Sequence, residues 1–355
     1  MTPYLSIYLF SIIFSLTFSK SFFFKNINLW ILLSILIIFV GTRYQIGGDW
    51  NRYNEIYEIY KNQLNNSIYT SIRTIEIFYI LINYISISFD GDVLLVNLII
   101  ASIFIFCLFY FIKDHYLPSL SLAILLPYLV FIIGMGFVRQ SLSIGFIMLA
   151  VCSLSAKKNN SYFLFLFYLL CATMAHKYAA MFFIFLPFIN NKINIYNLNI
   201  ILILVMLFFI ILIKYLYPYA LIIETLKNYT LGYYHSKGAY YRFVLNIIPC
   251  LMFLLFYPKF INDNRLNFFT ATIFINITFI LFIFNYSTII DRISYYFIPM
   301  QALFYSLILE KIDNNYLKYS IIISIYILYL LTFLFWFTYA DHLQFWVPYS
   351  SFIFL

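Results

Sequence analysis

Five short stretches of this 355-residue chain carry side chains able to do chemistry. The densest runs Arg43-Tyr44-Gln45-Ile46-Gly47-Gly48-Asp49-Trp50, with Arg52 and Tyr53 close behind. Two glycines let the backbone turn tightly beside a carboxylate. Asp49 there could act as a general base or hold an acceptor hydroxyl, and Arg43 and Arg52 could bind a phosphate. The same stretch also reads as a solvated loop in which Asp49 caps the next helix. Second, Arg139-Gln140 sits between two apolar runs in GMGFVRQSLSIG. An arginine at membrane depth is costly and points to function, unless it snorkels to the interface. Third, His176-Lys177 interrupts LLCATMAHKYAAMFF. An imidazole there could take a proton near neutral pH, or merely complete a hairpin turn. Fourth, the polar, aromatic loop Pro218–Tyr241, ending at Arg242, reads as a lid over a sugar or as a plain connector. Fifth, Asp291-Arg292 opens a span that continues through Ser294, Tyr295 and Tyr296, and its adjacent opposite charges could neutralise each other.

The elements that position these residues must be membrane helices. Hydrophobic residues make up 65% of the chain and charged ones 10%, against about 25% charged in soluble domains. That excludes a water-soluble globule, and the aromatic content excludes disorder. A spanning helix needs about 20 apolar residues, so the chain has room for about 12 spans in a single integral membrane domain, 1–355. The expected spans are Tyr4–Phe18, Leu29–Val40, Val93–Ile112, Leu120–Val138, Gln140–Ala156, Tyr162–Ala175, Tyr178–Ile189, Asn199–Leu216, Phe243–Tyr257, Phe268–Tyr286, Ile293–Leu309 and Leu317–Tyr339. The first is read as a retained span rather than a signal peptide, because it lacks a charged leading region and a small-residue cleavage site. Ile72–Phe89 is apolar enough to span but is interrupted by Arg73, Glu76 and Asn83. It is placed with the preceding NRYNEIYEIYKN segment as a pair of interfacial helices within a large loop, 41–90.

This layout puts nine of the fourteen lysines on one side and six of the seven arginines on the other. The positive-inside rule alone does not orient such a chain, but lysines in short turns set topology. Guanidinium groups gathered on one face suit an anion, because their fixed fork of donors matches phosphate oxygens. The arginine side, with loops 41–90 and 217–242 and the tail 340–355, is assigned to the periplasm. The net charge of +8 is read as loop charge and not as a nucleic-acid footprint. Cys107, Cys152, Cys171 and Cys250 all lie in apolar runs without metal or redox spacing and read as small hydrophobes. No histidine pair at zinc spacing is present.

Taken in order, the motifs resemble one family. R-Y-x-I-G-x-D-x-x-x-Y fits Arg43, Tyr44, Ile46, Gly47, Asp49 and Tyr53 with one extra residue, Gly48. R-Q opening a span fits Arg139-Gln140, a histidine after a later apolar run fits His176, D/E-R-x-x-x-Y-F fits Asp291, Arg292, Tyr296 and Phe297, and a terminal W-x-P-Y fits Trp346, Pro348 and Tyr349. This set resembles the EpsG/Wzy-type bacterial polysaccharide polymerases, over nearly the whole chain. The resemblance implies a GT-C-like helical glycosyltransferase of the inner membrane. It would act at the periplasmic face on oligosaccharide repeat units carried by undecaprenyl pyrophosphate, without cofactor or metal. A flippase and a chain-length regulator of the same pathway would be its partners. Arg43, Arg52, Arg139, Arg242 and Arg292, with Tyr296, would then bind the diphosphate and sugar, and Asp49 or His176 would be the base. A lipid-linked oligosaccharide transporter and a membrane sugar O-acetyltransferase are the alternatives.

Overall fold

A computed structural model gives the fold and describes residues 1–16, 22–62, 76–155, 161–189, 236, 238–284 and 286–354. The span expected at 199–216 and the loop residues 217–235 lie outside the described residues. The described chain is helical, and its only strand-like pairing is one antiparallel bridge between Arg43 and Ser351.

Helices cover Thr2–Leu16, Phe22–Gly41, Trp50–Asn62, Ile77–Ser88, Val93–Ile112, Val138–Ser155 and Ser161–Ala175, followed by a 3-10 segment, Lys177–Ile189. The later helices are Ala239–Leu255, Leu266–Thr278, Ser287–Ser294, Ile298–Glu310 and Asn315–Tyr339. Among the described residues, Val93–Ile112, Pro118–Gly136 and Asn315–Tyr339 are long and apolar enough to cross a membrane, and eight shorter apolar helices accompany them. Their outer faces stay apolar: Phe163 is 69% exposed and Leu255 80%. Such a surface is costly in water and costs little in lipid.

Local chemistry explains several boundaries. Asp92 Oδ1 accepts from the amides of Leu94 and Leu95 at 2.9 and 3.2 Å, which starts Val93–Ile112. Asn314 does the same for the amide of Leu317 at the head of Asn315–Tyr339. Within Pro118–Gly136, Pro127 lacks the N–H that would bond back one turn, and the backbone widens to a π-helix over Leu126–Ile133. The expected span Tyr178–Ile189 is wound as a 3-10 helix. The expected span Ile293–Leu309 is helical throughout but tightens to a single 3-10 turn over Tyr295–Phe297.

The helix directions bring the polar motifs to one end of the bundle. Val138–Ser155 runs parallel to Val93–Ile112: a Cβ on Gly145 would lie 3.3 Å from Cys107 Cβ, and Cys152 Sγ approaches the Tyr110 carbonyl. Phe22–Gly41 runs antiparallel to Val93–Ile112, with Gly41 against Leu98. Ser161–Ala175 runs antiparallel to Val138–Ser155, and Ser143 Oγ donates to the Ala172 carbonyl at 2.7 Å. Residues 41, 97, 139 and 176 therefore share an end. Ile77–Ser88 begins beside Arg139, through Glu76, and leads at Asp92 into the start of Val93–Ile112. It leaves and rejoins the bundle at that same end. At the opposite end Lys259 reaches the Lys311 carbonyl and Asp313, and Lys318 donates to Tyr116 Oη at 3.2 Å.

Candidate functional site

The first motif and the last are each other's partner. Beyond the bridge at Ser351, the Tyr44 amide donates to the Ser350 carbonyl at 3.0 Å, the Gly47 amide to the Phe345 carbonyl at 2.9 Å and the Phe352 amide to the Thr42 carbonyl at 3.0 Å. Trp346 is buried, and its Nε1 donates to the Phe131 carbonyl inside the π-helix at 2.9 Å. Tyr4 Oη donates to the Trp346 carbonyl at 2.8 Å, and Tyr349 Oη to the Phe39 carbonyl at 2.7 Å. Gly47 has φ +106, and a Cβ there would lie 2.8 Å from the Met135 carbonyl oxygen. Gly48 meets nothing nearer than 3.9 Å, so Gly47 and not Gly48 carries the turn.

Arg43 lies inside this clamp at 1% exposure. Its guanidinium donates to the Val40 carbonyl at 2.7 Å and to Asn97 Oδ1 at 2.9 Å, and its Nε finds no partner among the described residues. Burial lowers its pKa to about 10, so it still carries its charge at neutral pH, without a carboxylate partner among the described residues. The fork is enclosed and ties the loop to the helix Val93–Ile112; the structure does not bring it to the surface. Asp49 is half-buried just before the helix Trp50–Asn62, and its carboxylate makes no hydrogen bond or ion pair with a described residue. Arg52, in the first turn of that helix, is exposed.

Two ion pairs stand beside the clamp. Arg139, in the first turn of Val138–Ser155, meets Glu76 Oε2 at 2.6 Å and lies 5.8 and 5.9 Å from the ring centres of Tyr53 and Tyr79. The helix N-terminus disfavours a cation, and Glu76 offsets that. Arg242, in the first turn of Ala239–Leu255 rather than in a loop, grips Asp291 through Nε and a terminal nitrogen. Its guanidinium lies over Tyr128 and Tyr295 at 5.2 and 5.7 Å. Asp291 also accepts from Tyr295 Oη at 2.9 Å and Ser236 Oγ at 2.8 Å. Arg292 does not join this knot. Its side chain is exposed and makes no ion pair among the described residues, while its carbonyl accepts from Gln140 Nε2 at 2.8 Å. Gln140 therefore couples the Arg139 helix to the Arg292 helix.

His176 sits between these parts, in the turn after Ser161–Ala175. Its Nδ1 lies 2.8 Å from Tyr296 Oη, and Tyr296, fully buried, donates to Ser143 Oγ at 3.4 Å. Burial, with Arg139, Arg292 and Lys177 nearby, holds the imidazole down to about 3. It is neutral at physiological pH, in a field of three cations.

Arg139, Arg292, His176 and Tyr296 thus form one locus, with the Arg242–Asp291 knot attached through helix Ser287–Ser294. Asp49 and Arg139 both lie near Tyr53, Arg43 is buried within the clamp, and Arg52 is exposed on the first turn of the following helix. Sequence reasoning picked out Tyr53 but not Glu76, Ser143 or Tyr128. Glu76 was visible only as an interruption in an apolar run, and nothing in the spacing marks Ser143. No curated protein and no solved structure matches the chain. A family model described as the EpsG family matches residues 26–351, in keeping with motifs that run from Arg43 to Tyr349, and the chain belongs to that family.

Proposed function

We propose that this membrane protein is a polysaccharide polymerase. In this reading it transfers a growing glycan from undecaprenyl pyrophosphate to the next lipid-linked repeat unit, at the periplasmic face of the bacterial inner membrane. The observation that carries the reading is the gathering of Arg139, Arg292 and Lys177 around one neutral histidine at one end of an apolar bundle, in a chain of the EpsG family.

The chemistry asks for three things. Departing diphosphate needs its charge stabilised, an acceptor hydroxyl must be aligned, and its proton must go somewhere. The exposed guanidiniums of Arg292 and Arg52 meet the diphosphate directly. Arg139 and Arg242, oriented by Glu76 and Asp291, contribute field and remaining N–H donors. The acceptor oxygen bonds to the anomeric carbon as the carbon–oxygen bond to diphosphate breaks, and that electron pair leaves on the diphosphate. Asp49 holds the acceptor, and His176 takes the hydroxyl proton. Burial first, and the three cations after it, oppose protonation of His176; a bound diphosphate offsets the cations' part and raises its basicity. Arg43 acts by holding the loop that carries Asp49.

Purified protein in lipid nanodiscs, given lipid-linked repeat units alone, should form a ladder of chain lengths. Transfer of intact lipid-linked units across a vesicle membrane without polymer would identify a transporter instead, and polymer made by others but lacking acetyl groups in a deletion strain would identify an acetyltransferase.

A further inference from the structure

The hydrogen-bond directions behind His176 determine which of its nitrogens faces the site. Ser143 is fully buried, and its one hydroxyl proton goes to the Ala172 carbonyl at 2.7 Å. Its oxygen is then an acceptor for its other neighbour, and Tyr296 Oη donates to it. Tyr296 also has a single proton. With that proton committed to Ser143, the 2.8 Å contact between Tyr296 and His176 Nδ1 requires the imidazole to be the donor. The three bonds make one chain, His176 to Tyr296 to Ser143 to the Ala172 carbonyl, in which each side chain gives one proton. Reversing the first bond would leave the oxygens of Tyr296 and Ser143 facing each other 3.4 Å apart with no proton between them, inside a buried site where unmade hydrogen bonds are expensive. A neutral imidazole protonated at Nδ1 has a lone pair at Nε2. That atom makes no hydrogen bond to a described residue, and the ring is partly exposed.

We propose that Ser143 is a positioning residue which, through Tyr296, holds His176 as the Nδ1–H tautomer and so presents the Nε2 lone pair as a proton acceptor. What the lone pair receives, the proton of an acceptor hydroxyl, rests on the polymerase reading; the tautomer does not. The chain ends on a backbone carbonyl, which cannot take a proton, so the tautomer is set by geometry and not by an acid–base equilibrium along the chain.

Nitrogen-15 NMR of histidine-labelled full-length protein in nanodiscs tests this, with His176→Gln assigning the resonance among the four histidines. The expected spectrum at pH 7 has a protonated Nδ1 and an unprotonated Nε2 for His176. In Ser143→Ala, Tyr296 loses its acceptor and turns its proton to Nδ1, so the tautomer flips to Nε2–H; Ser143→Thr keeps the hydroxyl and restores it. The flip should lower kcat by about 10²-fold, at the low end for a lost general base, with KM unchanged. An Nε2–H tautomer in the unmodified protein overturns the proposal, even if Ser143→Ala does not fold. An Nδ1–H tautomer that persists unchanged in folded Ser143→Ala overturns Ser143's part in it. The expected tautomer and flip, in a protein that forms no polymer from lipid-linked units, uphold the relay while overturning the polymerase reading.

Discussion

Asp291 pairs with Arg242, 49 residues earlier in the chain, and not with Arg292 beside it. Successive residues on a helix point about 100° apart, so an adjacent acid and base on Ser287–Ser294 face different surroundings. The buried acid finds a guanidinium on a neighbouring helix, and Arg292 is exposed with no ion pair among the described residues.

Breaking that buried pair strands a charge. Asp291→Ala should lower stability by about 3–5 kcal/mol, read as loss of thermal stability in nanodiscs, while Arg292→Ala should change it by no more than about 0.5 kcal/mol. Equal losses from both variants would contradict the pairing.

Gly47 and Gly48 separate by the same kind of test. Gly47→Ala forces a side chain into positive φ and against the Met135 carbonyl, and should cost on the order of 1–3 kcal/mol. Gly48→Ala makes only an ordinary contact, 3.9 Å from Phe345 Cδ2, and should leave both folding and polymer length unchanged. Limited proteolysis of the 41–50 loop distinguishes them.

Trp346 anchors the tail. Trp346→Ala removes a buried indole and its bond to the Phe131 carbonyl, and should cost roughly 3–5 kcal/mol. Trp346→Phe should retain much of the packing but lose the hydrogen bond. The tail should become accessible to carboxypeptidase in the first variant before the second.

His176 makes stability depend on pH. Its folded pKa lies near 3 against about 6.5 unfolded, so above pH 6.5 both states are neutral and the group contributes nothing to the slope. As pH falls below 6.5 the unfolded chain takes up a proton that the folded chain refuses, and stability drops, by up to about 1.4 kcal/mol per pH unit, until pH nears 3. Buried His115, also held down to about 3 by its burial and by Arg265, adds a slope of the same sign. The fall in unfolding midpoint between pH 7 and 5 should be shallower in His176→Gln. An unchanged slope would contradict the neutral, buried imidazole.

Much of this was legible in the sequence. Val93–Ile112 is helical over the predicted range because an unbroken apolar run with an acidic cap leaves few other choices, and the gathering of Arg43, Arg139 and Arg292 toward one end follows from the order of the spans together with charge type. Arg43 was legible as important but not as buried, since a motif records which residues are present and not whether their donors are already taken. Glu76 and Ser143 were hidden because their partners, Arg139 and Tyr296, lie 63 and 153 residues away. The 3-10 winding of Lys177–Ile189 leaves no mark in an apolar composition, and neither does the 3-10 turn over Tyr295–Phe297.

Arg292 is the side chain proposed to meet the diphosphate most directly. Steady-state polymerisation by purified protein, with defined lipid-linked repeat units, should show Arg292→Ala reduced at least about 10²-fold in kcat/KM, the scale of a lost charge contact in the transition state, with Arg292→Lys between the two and thermal stability unchanged. A normal ladder of chain lengths and a normal rate from Arg292→Ala would contradict the claim that this exposed guanidinium meets the diphosphate.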